Sequence, residues 1–213
     1  LIEAGMIQRI QALNAFVSDL YHGQHIIRDG IIPRRSIVSN RYFRHEMMRL
    51  SVPNNIYIHA SGIDLIRDEQ GQYYVLEDNL RSPSGFSYLF KSRSIMTQSY
   101  SDLYFKHAVK DVEHSLSRFL AGLKSIAPSG KKDPVIALLT PGSYNSAYYE
   151  HMFLAKELGI ELVEGNDLVC KDQQIFIRGL NGMTKVDVLY RRIDDDFLDP
   201  LAFRPDSVLG VAG

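Results

Sequence analysis

The chain has 213 residues, enough for one large domain or two small ones with a hydrophobic core. Its 24 Lys and Arg residues against 25 Asp and Glu residues give a formal net charge of -1, which argues against a nucleic-acid or membrane-surface partner. The single cysteine, Cys170, excludes an internal disulfide framework and a cysteine-cluster zinc site.

Targeting signals are missing from the sequence as given. No apolar run reaches the roughly 18 to 20 residues that a membrane helix needs, and no basic-then-apolar leader is present. We therefore expect a cytoplasmic protein without a membrane partner. The chain begins at Leu1, not at a methionine, and ends at Gly213, so we also expect it to be a piece of a longer protein.

The first half of the chain begins with a predicted helix. Apolar residues recur there at helical spacing and predict a helix over residues 3–21. Strand signals follow in residues 55–59, 63–67 and 72–79, which are rich in Tyr, Val, Ile and Leu. Residues 86–127 are predicted to be helical again.

The second half shows the alternation of a βαβ unit after a polar linker at 128–134. Helix 146–158 lies between predicted strands 135–139 and 160–163, and two more strands are predicted further along, at 174–178 and 186–190. The predicted fold is therefore α/β in the broad sense (α+β). Residues 1–130 would form a helical and antiparallel-sheet lobe, and residues 134–213 an incomplete open-sheet domain.

The strands at 63–67 and 72–79 flank a turn-like tetrad, Asp68 to Gly71, and predict a β-hairpin. If that tetrad is the loop, Asp64 faces Val75 and lies diagonal to Glu77. One face would then be wholly apolar and belong to the core: Ile63, Leu65, Tyr74 and Leu76. The other would carry Asp64, Glu77 and Asn79, while Asp78 would point away.

Two interpretations of that polar face remain open. Two carboxylates and a carboxamide oxygen that converge make a hard oxygen site suited to magnesium or manganese. Polar residues at a strand end are also common on the solvent side of antiparallel sheets.

Longer strings resemble a known family. The segment from Gly62 to Asn79 resembles the metal-binding hairpin of ATP-grasp enzymes, in which an Asp precedes a hairpin and a Glu-x-Asn closes the next strand. Further strings at 76–85, 139–148 and 190–200 resemble circularly permuted ATP-grasp proteins related to glutathionylspermidine synthase and glutathione synthetase. The resemblance covers nearly the whole chain.

This resemblance implies an ATP-dependent carboxylate–amine ligase that acts on small-molecule or peptide acids and amines. Asp64, Glu77 and Asn79 would bind magnesium or manganese against the ATP phosphates. Ser82 and Ser84 would help to hold the reacting carboxylate, with Arg81 as an anion contact. Arg191 and Asn145 are the candidates for contacts to the nucleotide or the substrate.

The same segments also have ordinary structural interpretations. Residues 82–85 are typical of a turn that opens a helix with a serine as N-cap. Residues 140–145 are typical of a βα loop, although such a loop also offers N–H groups to an anion. Arg191 and the acidic run 194–196 predict a solvated or salt-bridged turn.

The chain also departs from the family in two ways. Glutathionylspermidine synthase relatives carry an arginine two residues before the first metal ligand, where this chain has Gly62. The lobe with the phosphate-covering glycine-rich loop is missing, so this piece alone is expected to be inactive. Two other functions stay open: a degenerate nucleotide- or peptide-binding scaffold, and a metal-dependent phosphotransferase or hydrolase.

Overall fold

The computed structural model describes residues 2–213; Leu1, where the predicted first lobe begins, lies outside them. The chain divides into two compact units, Leu1–Pro83 and Ser84–Gly213. The boundary predicted near residues 130–134 falls inside the second unit. The division into a lobe over residues 1–130 and an open-sheet domain over residues 134–213 stays a prediction.

The described part of the first unit, residues 2–83, combines three helices, two 3-10 turns and one hairpin. The helices are α1 (Ile2–Tyr21), α2 (His25–Arg28) and α3 (Arg34–Val38), the 3-10 turns are His45–Met47 and Pro53–Asn55, and the strands are β1 (Gly62–Arg67) and β2 (Tyr73–Asn79). The long first helix and both hairpin strands confirm the pattern-based predictions.

The strand predicted at residues 55–59 is wrong. Tyr57 and Ile58 donate their backbone N–H groups to Oδ1 of Asn14 on α1, at 2.8 and 3.3 Å. The Asn14 amide in turn donates to the carbonyl of Asn55 at 2.9 Å. A helix side chain therefore satisfies backbone groups that a neighbouring strand would otherwise pair, so the segment packs on α1 without forming a sheet.

The second unit contains four helices and six strands. The helices are α4 (Phe86–Ser99), α5 (Ser101–Lys106), α6 (His114–Ser125) and α7 (Tyr148–Leu158). The strands are β3 (Ile136–Leu139), β4 (Glu161–Val163), β5 (Leu168–Lys171), β6 (Gln174–Gly179), β7 (Gly182–Lys185) and β8 (Val188–Arg191). Two 3-10 turns, Gly165–Asp167 and Asp195–Phe197, follow β4 and β8.

A parallel sheet in the order β4-β3-β8 forms the centre of this unit. All four residues of β3 are buried, and alternate ones enter separate cores on the two faces of the sheet. Leu154 on α7 and Leu123 on α6 pack on one face together with Ile136 and Leu138. Both faces are covered, which explains why β3 is a continuous apolar run.

Helices α4 and α6 belong to this second unit because their aromatic residues complete its core. Phe86 stacks on Phe119 with ring centroids 6.1 Å apart, and Phe119 meets Tyr190 of β8 edge-on at 5.3 Å. The polar linker at 128–134 therefore connects two parts of one hydrophobic core.

A second sheet is antiparallel, in the order β5-β6-β7. Strand β7 was not predicted because all four of its residues are exposed and show no apolar alternation. The mixed helix and sheet class is confirmed. Within residues 2–213, none of the helices combines the length and apolar character needed to cross a bilayer.

Candidate functional site

The hairpin of the first unit places Asp64 directly opposite Glu77. The predicted register, with Asp64 opposite Val75 and diagonal to Glu77, is wrong. The turn spans residues 69–71 and not the predicted tetrad, because Asp68 pairs with Gln72: the Asp68 N–H donates to the Gln72 carbonyl at 2.9 Å, and Oδ1 of Asp68 accepts from the Gln72 N–H at 2.7 Å. Arg67 then pairs with Tyr73 and not with Gln72.

A β-bulge changes the register a second time, between Asp64 and Leu65 on β1 and around Leu76 on β2. Beyond it, Leu65 pairs with Val75. The predicted apolar core face is wrong, because Tyr74 is 51% and Leu76 62% exposed. The bulge brings the two carboxylates into direct register, since opposed residues project to the same side of a hairpin.

Asn79 lies on the same side of the hairpin as the two carboxylates. Its Nδ2 donates to Oε1 of Glu77 at 3.1 Å, and its Cα partner on β1 is Gly62. Asp64, Glu77 and Asn79 are all exposed. The hydrogen bond through Nδ2 leaves the amide Oδ1 as the atom of Asn79 that a cation would take.

These donors fit magnesium or manganese. All three offer oxygen atoms, and magnesium commonly uses one or two carboxylates together with waters and substrate phosphates. Nowhere in residues 2–213 do three or more His, Cys, Asp or Glu side chains form a group that could hold a metal. The hairpin thus supplies a partial coordination shell of two carboxylates and one amide, which a nucleotide would complete.

Asp78 points to the other side of β2 and is bound by Arg9 of α1. Arg9 Nε donates to Oδ1 at 2.7 Å and its NH2 group donates to Oδ2 at 2.6 Å. These hydrogen bonds, with the charge of Arg9, hold the pKa of Asp78 below its usual value. The prediction that Asp78 points away from the polar face is in agreement with this contact.

Gly62 has a structural reason to lack a side chain. A Cβ at this position would lie 3.1 Å from Cβ of Pro83 and 3.6 Å from Cβ of Asn79. A side chain there would require the Pro83 ring to shift by a few tenths of an ångström. The position beside Asn79 therefore contributes no cation in this protein.

Arg81 lies two residues beyond Asn79 and is exposed. Its guanidinium carbon is 4.9 Å from the ring centroid of Tyr42, and that of Arg41 is 4.6 Å from the same ring. Two cations therefore share one tyrosine ring. Ser82 Oγ is buried without a hydrogen-bond partner in residues 2–213, and Ser84 is the exposed first residue of the second unit.

The interpretation of a serine as N-cap of the next helix is wrong. Gly85 occupies that position in a left-handed conformation (φ 112°), and no side chain at the N-cap accepts a hydrogen bond. Instead, Glu150 of α7 caps α4 with Oε2, which accepts from the N–H groups of Gly85 at 2.7 Å and Ser87 at 3.1 Å. A negative charge at a helix N-terminus is favourable there.

Glu150 belongs to a buried polar cluster that the sequence patterns did not reveal. Its Oε1 accepts from Arg192 at 3.3 Å, and the neighbouring His151 shares a 2.8 Å hydrogen bond with Oγ1 of Thr140. Glu150, His151 and Thr140 are each at most 2% exposed. Burial, with a contribution from the charge of Arg192, lowers the pKa of His151 to about 4.

The cluster lies where β3 and β8 end, since Thr140 follows β3 and Arg192 follows β8. A signal for it existed in the sequence: Glu150 falls on the buried face of a predicted helix, where a carboxylate requires a partner. Its partner Arg192 is 42 positions away, so the pairing itself was not predictable from local patterns.

Asn145 and Arg191 are both engaged within the second unit. Oδ1 of Asn145 accepts from the Ala147 N–H at 2.9 Å, and the Asn145 N–H donates to the Gly142 carbonyl at 3.1 Å, as in an ordinary βα loop. Arg191 forms an ion pair with Asp195 and donates to the Ile193 carbonyl at 2.8 Å, so of the two predicted alternatives the turn is salt-bridged.

Comparison with known proteins identifies a family. The model described as "A circularly permuted ATPgrasp" matches residues 1–213.

An uncharacterized protein of Mycobacterium tuberculosis strain H37Rv is 50% identical over 212 residues, which cover 100% of this chain and 38% of that protein. An uncharacterized Synechocystis protein is 45% identical, with 100% of this chain and 44% of that protein covered. A second uncharacterized M. tuberculosis protein is 32% identical, with 100% and 24% covered. The chain thus spans less than half the length of these relatives.

Proposed function

This chain belongs to the family of circularly permuted ATP-grasp proteins, and we propose that it is part of an ATP- and magnesium-dependent carboxylate–amine ligase. The family suggests ATP-dependent ligase-type activity. The finer proposal is that small-molecule or peptide acids and amines are joined, as in the glutathionylspermidine synthases that the sequence strings resemble. The chain covers only part of its relatives, so this activity is proposed for the longer protein.

The observation that carries the proposal is the direct pairing of Asp64 with Glu77 across the hairpin. Asn79 adds its amide beside Glu77 at 3.1 Å. Two exposed carboxylates held in register repel each other unless a cation lies between them. Because both carboxylates are exposed, the phosphates of a nucleotide can reach a cation bound between them. A purely structural ion site would not need this access.

In the proposed reaction the carboxylate substrate attacks the γ-phosphorus of ATP, and ADP leaves with the β–γ bridging oxygen. The amine then attacks the acyl carbon of the acylphosphate, so that an amide forms, phosphate leaves and the amine loses a proton. Magnesium, when bound, neutralises charge on the phosphates during the first transfer. Asp64, Glu77 and Asn79 would hold it there.

Other residues are proposed to hold the substrates. Arg81, fixed by the ring of Tyr42, would contact an anionic group, and Ser82 and Ser84 would donate hydrogen bonds to the reacting carboxylate. Arg191 and Asn145 remain candidates for contacts to the nucleotide or substrate. Their local hydrogen bonds would have to rearrange when a ligand binds.

The test uses the full-length protein with ATP, magnesium and panels of acids and amines, and measures ADP release. Release should require both magnesium and an amine. Glu77→Gln should lower the rate by about 100-fold or more, because it removes a charged ligand of the magnesium that would neutralise the phosphates. Glu69→Gln removes an exposed carboxylate from the turn of the same hairpin and should leave the rate unchanged.

Two other outcomes would replace the ligase proposal. ADP release that is indifferent to every amine would favour a phosphotransferase or hydrolase. Nucleotide binding without any magnesium effect and without turnover would favour a degenerate binding scaffold, an alternative to which the missing arginine at Gly62 lends weight.

A further inference from the structure

The hairpin that carries the proposed metal ligands has little support of its own. It forms a sheet of only two strands, and such a sheet is marginally stable in water. The bulge also interrupts its ladder next to Glu77, where Leu76 is the extra residue. The direction in which Glu77 and Asn79 project must therefore be fixed by a contact from outside the hairpin.

Arg9 supplies such a contact. Both oxygens of Asp78 accept hydrogen bonds from its guanidinium, at 2.7 and 2.6 Å, across 69 positions of sequence. The planar two-pronged arrangement restrains both the position and the rotation of the carboxylate. Asp78 lies between Glu77 and Asn79, and successive side chains of a strand point to opposite faces. Holding Asp78 toward α1 therefore directs its two neighbours to the side of Asp64.

We infer that Arg9 is a positioning residue for the proposed metal site: through Asp78 it orients strand β2 so that Glu77 and Asn79 face Asp64. Arg9 itself contacts neither the metal nor the nucleotide. This inference rests on the proposed function, because it assigns Arg9 a role toward the same metal ligands.

The geometry predicts a graded response to substitution. Arg9→Gln removes the charge and one prong and should weaken metal binding about 10-fold or more, the usual cost of losing a residue that orients a metal ligand. Arg9→Lys keeps the charge but replaces the fork by a single point of contact, so its effect should be intermediate. Asp78→Asn should resemble Arg9→Gln, and the double variant should be little worse than either one alone, because both remove one interaction.

Binding of Mn²⁺ is the readout, measured by the electron paramagnetic resonance of free Mn²⁺ in the full-length protein with a non-hydrolysable ATP analogue. Glu77→Gln serves as the reference for loss of a ligand. Asp19→Asn is the matched control in the same unit. Asp19 accepts hydrogen bonds from the N–H groups of His25 and Ile26, both at 3.0 Å, at a distance in sequence from the hairpin. It should lower thermal stability and leave the Mn²⁺ affinity unchanged.

The outcomes separate the two proposals. One outcome refutes only the role of Arg9: Glu77→Gln loses affinity for Mn²⁺, while the three variants of the Arg9–Asp78 pair keep the affinity of the unaltered protein. The metal site would then stand. If Glu77→Gln binds Mn²⁺ as tightly as the unaltered protein, the metal site itself is wrong and the role of Arg9 fails with it. A loss of affinity in Asp19→Asn equal to that in Arg9→Gln would show a general effect of stability and would also overturn the inference.

Discussion

The buried histidine of the second unit makes the stability of the protein depend on pH. His151 is 1% exposed, and burial lowers its pKa from an ordinary value of 6.5 to about 4. Between these two values the unfolded chain binds a proton that the folded chain excludes. Stability is therefore complete above about pH 6.5 and falls as the pH falls toward 4.

The magnitude follows from the pKa difference. At pH 5 the unfolded histidine is almost fully protonated and the folded one is mostly neutral, which corresponds to about 2 kcal/mol of lost stability relative to pH 8. His151→Asn removes the titrating ring and keeps a polar group where Nδ1 meets Thr140. The variant should be less stable than the unaltered protein at pH 8 and should lose about 2 kcal/mol less between pH 8 and pH 5.

Urea unfolding followed by far-UV circular dichroism at both pH values measures this difference, since the chain contains no tryptophan for fluorescence. His107→Asn, which removes an exposed histidine of the same unit, should change the difference between pH values by less than about 0.5 kcal/mol. The reasoning would be refuted if His151→Asn kept the full pH dependence of the unaltered protein.

Two further predictions concern packing. Gly62→Ala should lower the free energy of unfolding by about 1 kcal/mol or more, because its Cβ would press on Pro83. Gly5→Ala in α1 places a Cβ that meets nothing within 4 Å, so it should be neutral or stabilising. Urea titration measures both variants, and equal changes in stability would contradict the crowding argument. Glu150→Ala should cost about 3 kcal/mol or more because it removes the carboxylate that caps α4 and binds the buried Arg192, and Glu150→Gln should cost less. Thermal unfolding would test this against Glu157→Ala, an exposed position on the same helix, and equal losses in the two alanine variants would count against the role of the cluster.

Local patterns predicted much of the secondary structure. Regular apolar spacing marked α1, and a continuous apolar run marked β3. The strand predicted at 55–59 failed because Asn14 on α1 supplies the hydrogen bonds that a neighbouring strand would have made. Such a contact is set by packing and leaves no trace in the local alternation of residues.

The sequence by itself determined the hairpin, the types of its polar residues and, through long similar strings, the family. The alignment of these polar residues was decided only in the folded chain, because the pairing of Asp68 with Gln72 and the bulge at Leu76 each shift the register by one residue. Tertiary structure alone also paired Arg9 with Asp78 and Glu150 with Arg192. Side-chain periodicity reports which face of an element a residue occupies, whereas a pairing across tens of residues depends on how distant elements pack together.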